Sequence, residues 1–225
     1  MMTFPGGVGV SGLRVYDWPT ADGLCGGSPH VHLACAEAYV VVGGTGRVQT
    51  LTRQAYEETP LSQGAVVWFT PGTIHRLVND GDLRIVVIMQ NSGLPEAGDA
   101  VFTFPVMDPA VYHPAATVTD EPSARRRRDL AVEGFRTLRQ RVRDGDGAAL
   151  DDFYRAAVRL KRDLVDEWER RWRSGALTSA VRTGDHLAHL RAGDWNYLTG
   201  ASVRRVSPGQ ALGMCGHLET YELSP

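Results

Sequence analysis

SPHVHLACAE, residues 28–37, sets His30 and His32 two positions apart and Glu37 five positions after the second histidine. Side chains in a strand alternate between its two faces, so in an extended segment His30 and His32 project together while Val31 turns the other way. The two imidazoles form a candidate pincer. Around them the chain reads as short apolar runs at 12–18, 28–35, 37–43, 46–52, 64–70, 74–80, 83–91 and 100–105, punctuated by Gly, Pro and acidic residues. GGTG (43–46) sits between two runs as a hairpin signal, and PGTI (71–74) and NDGD (79–82) mark two further turns. Many short strands at this spacing predict a sandwich or barrel.

After about residue 107 the periodicity changes. Residues 120–147 begin with Asp120 or Ser123 as a cap and carry Leu130, Phe135, Leu138 and Val142 at helical spacing. In 147–175, Leu150, Phe153, Ala157, Leu160, Leu164, Trp168 and Trp172 recur at intervals of three and four. They draw one apolar stripe, and Trp168 and Trp172 call for burial against something large. The opposite face pairs Asp151 with Arg155, Asp166 with Arg170, Glu167 with Arg171 and Glu169 with Arg173, each acid four residues before its base. A third helix is expected from Leu177 to Arg191, broken by Gly184, and the apolar stretch 213–223 is expected to return as a strand beside the barrel. The division is therefore a β-barrel over 1–106 and a mostly α-helical extension over 107–225.

The composition is that of an ordinary soluble globular protein: 225 residues, 43% hydrophobic, 22% charged, net charge −2. No basic leader runs into a long apolar segment and no stretch approaches membrane-spanning length, so a cytoplasmic location with no membrane partner is expected. Cys25, Cys35 and Cys215 lack the paired spacing of a zinc ribbon or a disulfide framework. Residues 1–119 hold 5 Lys and Arg against 10 Asp and Glu, whereas 120–206 hold 19 against 14. The opposed signs fit a basic helical piece lying on an acidic body or on a partner subunit in a homodimer. The run Arg125–Arg128, with Glu121, Asp129 and Glu133 nearby, reads as a solvated helix start, and nucleic-acid binding is not expected of it.

The histidine pincer belongs to a longer pattern, His30-x-His32-x4-Glu37-x6-Gly44, followed by Gly64-x7-Gly72-x2-His75-x3-Asn79. The two together resemble the two motifs of the cupin superfamily, small jelly-roll β-barrels, over about residues 13–91. The resemblance implies a mainly β fold with one metal inside the barrel, held by His30, His32, Glu37 and His75. Two positions depart from the family pattern. Thr70 stands where the second motif has proline, with Pro71 beside it, and Leu24 stands at the leading glycine of the first, next to Gly23.

The chemistry of the residues agrees. Three neutral imidazoles and one carboxylate suit a single divalent transition metal, with Fe preferred and Mn, Ni, Co or Zn as alternatives, and leave positions open for oxygen or a chelating substrate. Tyr39 shares strand parity with Glu37 and is a candidate substrate contact or proton donor. Trp68 and one of Met89 and Gln90 are further candidates for the lining, Cys35 is assigned to packing, and Asn79 to a turn. The expected function is metal-dependent turnover of a small organic substrate, with dioxygenase-type oxidation ahead of isomerisation or epimerisation of a sugar or hydroxy-keto compound. A non-catalytic small-molecule sensor is the rival from another class.

Overall fold

The computed structural model describes residues 4–221. Nine strands form one antiparallel sheet that wraps into the barrel: β1 (Gly9–Val15), β2 (His30–His32), β3 (Glu37–Leu51), β4 (Tyr56–Ser62), β5 (Val66–Phe69), β6 (Ile74–Met89), β7 (Ala100–Phe102), β8 (Gly209–Leu212) and β9 (Gly216–Thr220). Their order is β4-β3-β6-β1-β9-β8, with β5 also on β3, and β2 bridging β6 and β7.

The spine is the pairing of β3 with β6, in register from Glu37 opposite Met89 to Leu51 opposite Ile74. GGTG and NDGD, expected to turn the chain back, instead face each other as an irregularity within this one long ladder, with register shifts between Val41 and Gly46. Glycine here serves a bulge rather than a reversal. Gly44 has φ +71°, and a Cβ there would lie 2.0 Å from the Asp82 carbonyl oxygen. Asn79 holds the facing bulge: its Oδ1 accepts from the backbone of Gly81 and Leu83, both at 3.1 Å, and its Nδ2 donates to Val15 O at 3.0 Å. On either side of the bend, the first half of β3 pairs with β5 and the second with β4. β4 was not expected because Pro60 interrupts its pattern; at a sheet edge a missing N–H costs no ladder bond.

The helices are α1 (Pro109–Ala116), α2 (Glu121–Arg143), α3 (Ala149–Lys161), α4 (Val165–Trp172) and α5 (Thr178–Arg191). Asp120 caps α2 and Ser123 completes the reciprocal capping box. α1 through α3 cover one side of the barrel, where Val31, Val101 and Phe104 share a core with Tyr112, Phe135, Leu138, Leu150 and Phe153. The single helix expected over 147–175 is interrupted by a 3-10 turn at Arg162–Leu164, and a wide turn at Arg173–Leu177 leads into α5, which runs unbroken through Gly184. Glu167–Arg171 (2.7 Å) and Glu169–Arg173 (2.5 Å) pair as expected. Asp151 instead meets Arg53 of the barrel, and Arg170 turns to Glu167.

The arginine run departs from the expectation of a solvated helix start. Arg127 and Arg128 are buried, because this face of α2 meets the backbone carbonyls of Trp18, Pro19 and Gly213. Arg128 donates to Trp18 O at 2.7 Å and Pro19 O at 3.1 Å, and Arg125 lies 4.1 Å from the Trp18 ring centroid. Trp168 is buried and its indole donates to Ala97 O (3.2 Å), whereas Trp172 keeps about a third of its surface in solvent. After α5 the chain returns as β8 and β9, and β9 joins the sheet beside β1. Of the expected strand at 213–223, positions 222 and 223 lie outside the described residues.

Candidate metal centre

His30, His32, Glu37 and His75 come from three strands and are all buried. His30 lies opposite His75 in the β2–β6 pairing, and Glu37 opens β3 on the inward side that Tyr39 and Val41 continue. One ligand atom from each of the four lies within 4.8 Å of all the others. His75 Nε2 is 3.0 Å from Glu37 Oε2, His32 Nε2 is 3.4 Å from the same oxygen, and His30 Nε2 is 3.1 Å from His75 Nε2.

The outward nitrogens decide which atoms face the centre. His30 Nδ1 donates to Ser28 O (2.8 Å), His75 Nδ1 to Thr73 O (3.1 Å) and His32 Nδ1 to the Asp99 carboxylate (2.7 Å). All three partners can only accept, so Nδ1 carries the proton and Nε2 presents its lone pair inward. Three lone pairs and a carboxylate oxygen converging in a buried space repel one another unless a cation stands among them. His32 Nε2 and Glu37 Oε2 are buried without any hydrogen-bond partner. This donor set fits a divalent transition metal.

The ionisation tendencies point the same way. Burial, then the neighbouring His75 and His32, hold His30 well below the ordinary histidine range, in the neutral form a ligand needs. At His32 burial pulls down, but Asp99 and Glu37 outweigh it and push the group up to about 10. At Glu37 burial pulls up and is overcome by His75 and His32, leaving it well below the carboxylate range. The cluster therefore seeks positive charge, which a proton or a metal can supply in competition.

A cavity of about 650 Å³ opens onto His30, His32, Glu37 and Tyr39. Leu13, Val87 and Met89 form its barrel wall, and Met214, Cys215 and Leu218 form the wall brought by the C-terminal return. Glu96 and Arg171 are the charged lining residues outside the cluster. The return is fixed firmly. Gly213 O accepts from Tyr16 Oη (3.0 Å) and Arg127 Nη2 (2.6 Å), and Ser28 N donates to Met214 O (3.1 Å). At Gly216 a Cβ would come 2.0 Å from Arg14 O, so only glycine lets β9 approach β1 this closely.

Tyr39 is buried beside the cluster, and burial followed by the charge of Glu37 keeps its phenol well above the usual range. The phenol therefore keeps its proton. The register settles that Met89 lines the cavity, whereas the Gln90 side-chain Oε1 accepts from Ala36 N at 3.2 Å outside it. Trp68 is 71% exposed on the outer face and does not line the cavity. Cys35 is buried in the core, and His186 and His189 stack on Tyr197, away from the centre. Asp99, 67 residues from the histidine it orients, carries no sequence signal beyond being acidic. The wall at 214–218 is equally silent in the sequence, since its place depends on where the chain returns.

Residues 21–89 match the cupin domain family. No curated protein matches the chain. Among solved structures, a conserved protein of Klebsiella pneumoniae with a double-stranded β-helix domain is similar over 38% of this chain and 67% of its own, at 19% identity and a TM-score of 0.29. The capsular polysaccharide assembling protein CapF of Staphylococcus aureus is similar at 25% identity and a TM-score of 0.32, over 42% of this chain and only 27% of CapF. The Streptomyces nucleoside dehydratase PAC13 is similar at 16% identity and a TM-score of 0.33, over 44% of this chain and 70% of its own.

Proposed function

We propose that this member of the cupin superfamily is a metal-dependent enzyme that oxidises a small, largely apolar organic substrate with O2. One observation carries the reading: the cavity that opens onto His30, His32 and Glu37 of the cluster has Leu13, Val87, Met89, Met214 and Leu218 on its walls. Walls of this kind favour an apolar body on the substrate, while Ser11, Ser92, Glu96, Arg171 and Thr220 supply polar partners elsewhere in the lining. His30, His32, Glu37 and His75 would hold the ion, with Asp99 fixing the His32 ring. When bound, a divalent transition ion supplies Lewis-acid and redox chemistry. In a dioxygenase both oxygen atoms enter the product, so no external reductant is needed. The chain's own contribution is to exclude water through Met89, Met214 and Leu218, to orient the substrate's polar end at the cluster, and to donate a hydrogen bond from Tyr39.

Tyr39 also favours a second reading. A phenol held protonated beside the cluster can stabilise a developing enediolate, as isomerisation of a hydroxy-keto compound requires. Elemental analysis of protein purified without chelators, followed by oxygen uptake against a metabolite panel, separates the two. Bound iron with substrate-triggered uptake supports oxidation. Exchange of substrate C–H for solvent deuterium without uptake supports isomerisation. Protein that takes up no cation, or a Glu37→Gln, His32→Ala double variant that binds metal as the parent does, would sink both. We further propose a homodimer in the cytoplasm acting on a small molecule without nucleic acid. In support, no helix among the described residues is long and apolar enough to cross a membrane.

A further inference from the structure

The outer face of the sheet is apolar where a solvent face should alternate. Register places Trp68, Ala38 and Ile88 in one row across β5, β3 and β6, and Val66, Val40 and Val86 in the next. Antiparallel strands with water on one side read apolar-in and polar-out, whereas strands apolar on both faces are covered on both. Here Trp68 and Val66 remain 71% and 55% exposed.

A second apolar surface stands free in the same molecule. α5 buries no side chain, although Val181, Gly184, Leu187 and Ala188 recur at helical spacing along it. Leu187 and Trp195 are 55% and 65% exposed. The arm packs at its root, where Gly7 meets Ala176. There a groove of about 720 Å³ separates Thr178 and Arg182 from Gly12 of β1 and Val86 of β6, so the chain's own arm stands beside the β1–β6 side of the face, and no residue of β3 or β5 lines that groove.

The surface area says how much covering is missing. The chain exposes 12290 Å² at 24.6 kDa. A compact monomer of that mass exposes about 10000 Å². The excess of roughly 2000 Å² is what each partner of a sizeable homodimer buries.

We propose that the occupant is a second copy of this chain. The arm of each protomer, residues 178–200, lies across the β5–β3–β6 outer face of the other in a two-fold, self-complementary exchange. The helix needs an apolar floor, the sheet needs a helical cover, and one symmetric contact satisfies both twice. The inference rests on the homodimer reading and specifies its surfaces.

Sedimentation velocity on the full chain tests it. The parent is expected to be a dimer, and Trp68→Glu and Leu187→Glu are each expected to raise the dimer dissociation constant by about 30-fold or more. Leu130→Glu, on the solvent side of α2, is the control and leaves it unchanged. Should circular dichroism show either charged variant unfolded, Trp68→Ser or Leu187→Ser takes its place. A parent that stays monomeric at high concentration overturns the homodimer and the exchange together. A dimer that persists in both variants overturns the exchange alone.

Discussion

α3 and α5 are helices of 13 and 14 residues, and α3 buries Leu150, Phe153, Ala157 and Leu160 while α5 buries nothing. Both carry apolar residues at helical spacing, although the stripe on α3 is much the stronger. The position of the barrel separates them further. α3 lies on the β2–β7 side, where Val31 and Val101 await it, and Tyr154 Oη reaches Gly72 O at 2.7 Å in the turn that leads to His75. α5 meets the Pro5–Gly7 turn near its root and buries no side chain. A helix this short is marginal in isolation, so an amphipathic face implies a partner without saying which chain provides it.

Five substitutions break or sharpen this contrast. Phe153→Ala in α3 is expected to cost about 3–5 kcal/mol in denaturant melts, through lost burial and a cavity in the shared core. Asp22→Asn comes next. Arg76 is buried and its Nη1 lies 2.5 Å from Asp22 Oδ2, so removing the carboxylate strands a buried cation at a cost of about 3 kcal/mol. The exposed pair Glu169–Arg173, broken by Glu169→Gln, changes stability by about 0.5 kcal/mol or less.

The pH dependence of the buried pair follows. At Asp22 burial pulls the carboxyl up, but Arg76 and Thr20 outweigh it and bring it from 3.8 down to about 2. A depressed carboxyl contributes its stability in full above the unfolded value and loses it as pH falls through the folded one. Acid titration of the parent should therefore show a loss of stability between about pH 4 and pH 2 that Asp22→Asn lacks. Tyr154→Phe, which removes one hydrogen bond between α3 and the turn, is expected to cost about 1 kcal/mol. Smallest is Leu187→Ala in α5, which at dilutions where the chain is monomeric should shift the melt by less than about 0.5 kcal/mol. A large loss there would mean that α5 packs within its own chain, and the contrast would fail.

Much of the barrel was legible because strand periodicity and turn residues are local signals. The motif spacing likewise named the four side chains that the structure brings together. The errors share one cause. GGTG and NDGD look the same whether glycine reverses a strand or bends it, and only the facing strand decides. Arg127 and Arg128 look solvated until the carbonyls of Trp18, Pro19 and Gly213 are placed against them. Trp68 looked like a lining residue because parity within a strand does not say which face is inside.

The chain's local order determined by itself the strand-rich first half, the helical second half, the cap at Asp120 and the types of atom offered to a metal. Those follow from interactions between residues a few positions apart. Only the tertiary structure decided that Asp99 orients His32, that residues 214–218 wall the cavity and that the arm finds no cover at home. Each of these joins segments far apart in sequence, and their meeting depends on how the whole sheet closes.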